Sequence, residues 1–168
     1  MIARQQLKLA MRPMLAEDVP LLAEIFRASI EELTMDDYSE AQQAAWMSAA
    51  DDEEDFGARL AAALTLVATF DGTAVGFASL ADNKRIDMLY VSPIAAGQGA
   101  GAMLCDALEK LATARGAKEL SAEASDTARG FFEKRGFLAQ TRNTVALAGE
   151  WLANTTMVKL LAAKGTVQ

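Results

Sequence analysis

The chain has 168 residues, 52% of them apolar, and a formal net charge of −7; it suits one domain with a sizeable core and argues against a nucleic-acid partner, whose phosphates need clustered Lys and Arg. It contains no histidine and a single cysteine, Cys105, which excludes a Ser-His-Asp triad, a Cys-His pair, a typical zinc site and an internal disulfide framework. Any general base must then be a carboxylate, a tyrosine, a lysine or an ordered water.

Residues 6–12 alternate Leu7, Leu9 and Met11 against Lys8, Ala10 and Arg12, a half-buried first strand that Pro13 ends. Glu17 and Asp18 favour a helix start, with Pro20 tolerated in the first turn. Val19, Leu22, Phe26, Ile30 and Leu33 make its apolar face, and residues 35–37 break it. Ser39 can cap a second helix that runs through Gln42 and Gln43 to Trp46 and Met47. Asp51 or Asp52 can cap a third, through Phe56 and Leu60. Residues 31–55 hold ten acidic side chains and no Lys or Arg. They read either as solvated helix faces or as an acidic rim that attracts a cationic amine.

Leu64–Phe70 is rich in strand formers, and Asp71-Gly72 is a two-residue hairpin signal. The chain returns over residues 73–80, with Gly76 marking a bulge or a close backbone approach. Asp82-Asn83-Lys84 turns again, and Arg85–Val91 is the next strand. A proline and a glycine-rich turn follow. Apolar residues then recur at 100, 103, 104, 107, 108, 111 and 112, one face of a helix. Arg115 falls in its last turn and Gly116 caps it; Cys105 reads as a packing residue on it. Residues 119–124 form a strand after a crossover long enough for parallel pairing. Residues 127–135 are a short helix ended by Gly136. Residues 137–147 and 150–161 make a final hairpin about Ala148-Gly149, and residues 162–168 read as a frayed tail. No run approaches the ~18–20 apolar residues of a membrane span, and residues 1–11 lack a signal-peptide core. A cytoplasmic protein with no membrane partner and no metal is expected.

The glycine-rich turn carries the strongest chemical signal. A helix starting there offers unpaired N–H groups and the positive end of its dipole. Without side chains at Gly97, Gly99 and Gly101, an anion can approach the backbone, as a pyrophosphate would. A Walker A loop is excluded, because Ala102-Met103 stands where Lys-Ser/Thr is needed. Gly97-x-Gly99-x-x-Ala102, with Glu119 downstream, matches a dinucleotide fingerprint. However, residues 92–96 separate the first glycine from its strand, and the preceding segments read as an antiparallel meander.

Val91-Ser92-Pro93 followed by Ala96-Gly97-Gln98-Gly99-Ala100-Gly101 resembles the acetyl-CoA loop of the GNAT superfamily of N-acetyltransferases. That pattern is Gln/Arg-x-x-Gly-x-Gly/Ala after a strand ending in a Val-x-Pro-like turn. Ala128-Arg129-Gly130-Phe131-Phe132-Glu133-Lys134-Arg135-Gly136-Phe137 is similar to the family's penultimate helix and its Gly-Phe exit. The order of elements fits over roughly residues 7–161. Ala96 stands where the family usually has Gln or Arg. Phe132 stands where many members carry the tyrosine that protonates the departing CoA thiolate. Ser125 stands where many carry an asparagine that touches the pantetheine arm.

The resemblance implies an α/β (α+β) fold: a mixed, mostly antiparallel sheet of about seven strands, splayed between the fourth and fifth, with helices on both faces. It implies a single N-acetyltransferase domain over residues 1–168. Acceptor-side helices would lie at about 17–62, the acetyl-CoA loop and helix at 89–116, and the C-terminal hairpin at 137–161. Acetyl-CoA is the implied co-substrate, and a primary amine of a small molecule or peptide attacks it directly in a ternary complex. The cofactor would rest on Leu89, Tyr90, Val91, Gly97, Gln98, Gly99, Ala100, Gly101, Ala102, Ser125 and Phe132. Ile30, Tyr38 and Trp46 would line the acceptor side. Asp87 and Glu123 are the candidates to take the amine's proton. Asp87 lies two residues before Leu89 and so shares its sheet face; Glu123 is near the C-terminal end of the adjacent strand. Partial burial would raise either carboxylate. With phenylalanine at 132, the thiolate would take its proton from Ser125, Tyr90, water or the amine. The alternative is a catalytically silent acyl-CoA sensor or scaffold. Many relatives dimerise, and the final hairpin with Trp151 is where a homodimer edge is expected.

Overall fold

The computed structural model describes residues 8–162. Its elements are β1 (Leu9–Pro13), a 3-10 turn (Ala16–Asp18), α1 (Val19–Leu33), α2 (Glu40–Met47), α3 (Glu53–Ala62), β2 (Leu64–Phe70), β3 (Thr73–Ala81), β4 (Arg85–Val91), α4 (Ala100–Ala114), β5 (Glu119–Ser125), α5 (Arg129–Lys134), β6 (Leu138–Leu147) and β7 (Glu150–Leu160).

Local chemistry fixes most of these boundaries. Ser39 accepts the Gln42 N–H at 3.1 Å while Gln42 Oε1 accepts the Ser39 N–H at 2.9 Å, a reciprocal cap for α2. Asp52 accepts the Asp55 N–H at 3.1 Å and starts α3. Asp71 and Gly72 have φ of +47° and +87°, the pair of left-handed residues that a tight hairpin needs. Gly76 answers both of its readings. Ala68 pairs with Gly76 and Thr69 with Ala74, leaving Val75 as an extra, bulged residue beside it. A Cβ on Gly76 would also stand 3.1 Å from the Tyr90 carbonyl oxygen.

Pro13 ends the first strand as expected: it is its last paired residue, opposite Leu66, where an edge strand tolerates a missing N–H donor. One expectation about the N-terminal region is corrected. The first helix begins later than Glu17, after a 3-10 turn. There Asp18 accepts the Leu15 N–H at 2.7 Å and pairs with Arg12 at 2.7 and 2.8 Å. Residues 6 and 7 of the expected strand, and the expected tail from residue 163 onward, lie outside the described residues.

The strands form one seven-stranded sheet in the order β1-β2-β3-β4-β5-β7-β6. Every neighbouring pair is antiparallel except β4–β5. On one face α1 and α3 bury Leu22, Phe26, Ile30, Phe56, Val67 and Phe77. On the other, α4 and α5 bury Leu80, Leu104, Leu108, Leu120, Phe132, Phe137 and Met157. Cys105 belongs to this second core, and burial pushes its thiol up to about 11, as a packing residue requires. Among the described residues no helix is long and apolar enough to cross a membrane.

Two irregularities position the site. The first lies between β4 and β5, which pair only at Arg85–Ser121 and Ile86–Ala122. Beyond that, β5 stays with β7 through Ser125–Asn154, and the sheet opens. The second is a bulge in β4. Met88 pairs with Ser79 and Ile86 with Leu80, so Asp87 is the extra residue.

Candidate active site

The opening between β4 and β5 is a cavity of about 260 Å³. Residues 86–91 form one wall and residues 122–125 the other. Ile30, Leu33 and Thr34 from the end of α1, Trp46, Gly101, Phe131 and Phe132 complete it. Past Ile86 the β5-facing edge of β4 has no strand partner among the described residues. Its peptide groups are therefore available to an amide-bearing ligand.

The glycine loop lies at one end of this opening. Ser92 N–H bonds the Val75 carbonyl at 2.7 Å, and Pro93–Ala95 forms a 3-10 turn. Gly97 and Gly99 have φ of +77° and +93°, a conformation that L side chains rarely adopt. Gly99 is the N-cap of α4, and Met103 N–H bonds back to its carbonyl at 3.0 Å. The N–H groups of Ala100, Gly101 and Ala102 thus have no partner within the helix. No acidic residue occupies the first turn, so nothing there opposes an anion. Gly101 is different from its neighbours. It lines the cavity, and a Cβ there would lie 3.5 Å from Phe131 and 3.7 Å from Val91. Its missing side chain keeps the cleft open.

A second cavity, about 190 Å³, lies beneath the β6–β7 hairpin. It shares Trp46, Asp87, Tyr90, Glu123 and Ser125 with the first. The two carboxylates read as candidate bases therefore meet where the cavities join. Their surroundings differ sharply.

Asp87 does not share a sheet face with Leu89. The bulge breaks the alternation and turns Asp87 towards α3. There Arg59 binds both its oxygens at 2.8 and 3.1 Å, and Arg85 adds a contact at 2.6 Å. Burial alone would raise the Asp87 carboxyl. The hydrogen bonds and positive charge of Arg59, and then of Arg85, outweigh it and hold the group below the usual carboxylate range. The upward shift expected for Asp87 is thereby corrected. Glu123 is exposed. Its Oε2 accepts from Thr156 Oγ1 at 2.8 Å and from Asn143 Nδ2 at 3.1 Å, both neutral donors.

Tyr90 turns into the aromatic cluster of the α1 face, 4.7 Å from Phe26 and 5.8 Å from Phe77 between ring centres. Its hydroxyl accepts the Trp46 indole N–H at 3.1 Å. Burial pushes the phenol up to about 12, so it keeps its proton at neutral pH. Ser125 Oγ accepts the Ala128 N–H at 3.0 Å and faces both cavities. Phe132 lines the cleft between Phe131 and Phe137, at 5.3 and 5.1 Å. Ile30 and Trp46 face the cleft as well. Tyr38 borders only the second cavity, and its hydroxyl is fully engaged: it accepts the Asp126 N–H at 2.9 Å and donates to the Ala153 carbonyl at 2.7 Å. It ties the α1–α2 turn to the ends of β5 and β7.

Arg59, Asn143 and Thr156 were not found by reading the sequence. They stand 28, 20 and 33 residues from the carboxylates they hold. No local pattern signals such contacts; they follow only from the sheet order and the packing of α3 on it.

A sheet parted at a parallel pair, with an anion-ready helix start at the opening, has the arrangement that the resemblance implies for an acetyltransferase. Comparison with known proteins agrees. The family model described as "Acetyltransferase (GNAT) domain" matches residues 34–161. A GCN5-related N-acetyltransferase from Rhodopseudomonas palustris is 58% identical, with a TM-score of 0.91 over 95% of this chain and 100% of the other. The uncharacterized N-acetyltransferase YafP of Escherichia coli K12 is 33% identical over 137 residues, 82% of this chain and 86% of its own. PaiA N-acetyltransferase from Thermoplasma acidophilum, solved with coenzyme A, shares the fold at 23% identity, with a TM-score of 0.75 over 91% of this chain and 99% of the other. The chain belongs to the GNAT family of acetyltransferases.

Proposed function

We propose that the enzyme transfers acetyl from acetyl-CoA to a primary amine by direct attack within a ternary complex. The observation that carries this is the short β4–β5 pairing, which ends at Ile86–Ala122 and leaves a slot with the α4 N-terminus at its end. As an acetyltransferase of this family the protein uses acetyl-CoA as co-substrate. The N–H groups of Gly97 and residues 99–102 hold the pyrophosphate, that of Gln98 being bonded to the Ala95 carbonyl at 3.3 Å. The free edge of β4 over Leu89, Tyr90 and Val91 pairs with the amides of the pantetheine arm. A β4 N–H near Leu89 or Val91 polarises the thioester carbonyl and stabilises the oxyanion.

Glu123 takes one proton from the incoming ammonium, directly or through water. Asp87, already held by two arginines, supplies a fixed negative charge instead. Attack forms the N–C bond and breaks the C–S bond. The second amine proton reaches the thiolate by way of Ser125, the protonated Tyr90 phenol or water. Orientation of the two substrates supplies much of the rate. Phe132, in an apolar setting where many relatives carry tyrosine, supports a second reading, a silent acyl-CoA sensor. Release of free CoA with any amine excludes it. Trp151, 63% exposed on the final hairpin, supports a homodimer there, which light scattering decides.

The test is thermal stabilisation by acetyl-CoA, free CoA, NADH and ATP, followed by thiol detection with an amine panel. At about a hundred times the dissociation constant, binding stabilises by ~2.7 kcal/mol. For a domain of this size that is on the order of 5–10 °C. Shifts with both CoA species alone are expected. No shift with either, or a shift with NADH instead, overturns the reading.

A further inference from the structure

We infer that the acceptor is a small amino acid with an apolar side chain, its ammonium facing Glu123 and its carboxylate facing Arg59. This rests on the acetyltransferase reading above and deepens it. Of the charged groups bordering the second cavity, Asp87 is committed: Arg59 binds both its oxygens and Arg85 adds a third contact. Two guanidinium groups against one carboxylate leave that cluster with one positive charge in excess. Arg59 spends Nε and one terminal nitrogen, Nη2, on Asp87. Its other terminal nitrogen makes no hydrogen bond among the described residues, and its side chain is 50% exposed. Across the junction, the hydrogen bonds that the Glu123 carboxylate accepts among the described residues come only from the neutral Asn143 and Thr156. Arg85 lies outside the lining of this cavity, so what the pocket offers is the spare nitrogen of Arg59, whose partner Asp87 is shared with Arg85, and a carboxylate with no cationic partner among the described residues, the complement of a zwitterion.

Size and lining narrow the class. About 190 Å³ is below the ~300–1,000 Å³ of sites for drug-sized ligands. Val145, Leu147 and Leu152 make one wall, which suits an aliphatic side chain. The acidic segment does not redirect this towards polycations. All ten acidic residues at 31–55 are exposed, and none of them lines either cavity of the site. In the transfer, the ammonium releases one proton to Glu123 and the amine nitrogen takes the acetyl carbon from sulfur. A second ammonium proton goes to the thiolate and the third stays on the amide nitrogen, so the products are the N-acetyl amino acid, CoA and one released proton.

The experiment measures CoA release from acetyl-CoA with L-leucine, its amide, 3-methylbutylamine, spermidine and a Lys-rich peptide. Leucine is expected to exceed the amide and the matched amine in kcat/KM by about 10- to 100-fold, the worth of one charge-assisted hydrogen bond. The amide, whose amine loses its proton more readily, is the stringent control. Arg59→Met should erase this preference through KM for leucine, and Arg59→Lys should restore part of it. Equal losses on leucine and its amide in Arg59→Met would make Arg59 merely structural and overturn the inference. So would a preference for the amine, spermidine or the peptide, with acetyl transfer itself standing. No CoA release in any arm, together with no added thermal shift from leucine on the CoA complex, also overturns it. Failure of acetyl-CoA to shift the melting temperature overturns both this inference and the reading beneath it.

Discussion

The two halves of the site are built from different materials. The proposed cofactor half is a continuous stretch, β4 through the start of α4, and it offers peptide groups: a free strand edge and unpaired helix N–H groups. Side chains matter there mainly by their absence, as at Gly101. The proposed acceptor half is built almost wholly from side chains, Arg59, Asp87, Glu123, Asn143 and Thr156, drawn from α3, β4, β5, β6 and β7. A backbone cradle is indifferent to which small residue stands at Ala96, so it can stay constant while the acceptor changes. A side-chain pocket respecifies its ligand with one substitution.

The largest effect should come from breaking the backbone half. Gly101→Trp places an indole in the cleft, because a Cβ alone already reaches contact with Phe131 at 3.5 Å and Val91 at 3.7 Å. The acetyl-CoA thermal shift, ~2.7 kcal/mol in the wild type under saturation, should vanish, and activity with it. Circular dichroism should remain that of the wild type. A retained shift would mean that the cofactor lies elsewhere.

Glu123→Gln breaks the other half and should leave the first intact. It keeps an acceptor oxygen for Asn143 and Thr156 but cannot take a proton at neutral pH. A fall in kcat of about 10²- to 10⁴-fold is expected, the usual worth of a positioned general base. The acetyl-CoA shift should be unchanged. An unchanged kcat would assign the proton to bulk water and leave Glu123 as a binding group only.

The same contrast explains what was legible in the sequence. The helix caps at Ser39 and Asp52, the tight turns and the glycine loop could be read because each depends on residues a few positions apart, whereas the splayed seven-stranded fold came from the resemblance to the family. Glu123 could be named as a candidate because it lies near the C-terminal end of its strand, and Asp87 because it lies two residues before Leu89. Their environments could not. Alternation along β4 put Asp87 beside Leu89, but a bulge opposite Ser79–Leu80 changes its face, and a bulge in an apolar strand leaves no mark in composition. Arg59 was invisible for the same reason: its place depends on how α3 packs across the sheet. The acidic segment answers to the first of its two readings. Its charges are conspicuous in sequence, yet they sit on solvated helix faces and at helix starts.

Acid should separate the halves by stability. The folded pKa of Asp87 lies below its ordinary value, for the balance of causes given above, and that of Asp18 is lowered chiefly by its hydrogen bonds to Arg12. In acid the unfolded chain therefore binds more protons. The contribution is fully present above the ordinary carboxylate value of ~3.9 and is lost as pH falls through the lowered folded values. The melting temperature should drop steeply below about pH 4. Asp87→Asn should flatten that drop and cost about 1–3 kcal/mol at neutral pH, between an exposed and a buried pair because Arg59 is half exposed. It should leave the acetyl-CoA shift in place. An unaltered acid profile would show that the Arg59–Asp87–Arg85 cluster adds nothing to the fold.

The smallest effect belongs to the residue that departs most visibly from the family pattern. Phe132→Tyr adds a hydroxyl to a ring that lines the cleft, is 4% exposed and is wedged between Phe131 and Phe137. A hydroxyl left without a partner there costs about 1–3 kcal/mol. Catalysis should respond little. CoA thiolate is a good leaving group, and Ser125 and the Tyr90 phenol, still protonated at neutral pH, face the same cavity. Turnover should be unchanged or rise modestly, with acetyl-CoA binding as in the wild type. A large rise would show that protonation of the thiolate limits the natural enzyme. Abolished turnover with cofactor binding intact would show that ring 132 is not at the leaving group, and the placement of the thioester along β4 would have to be redrawn.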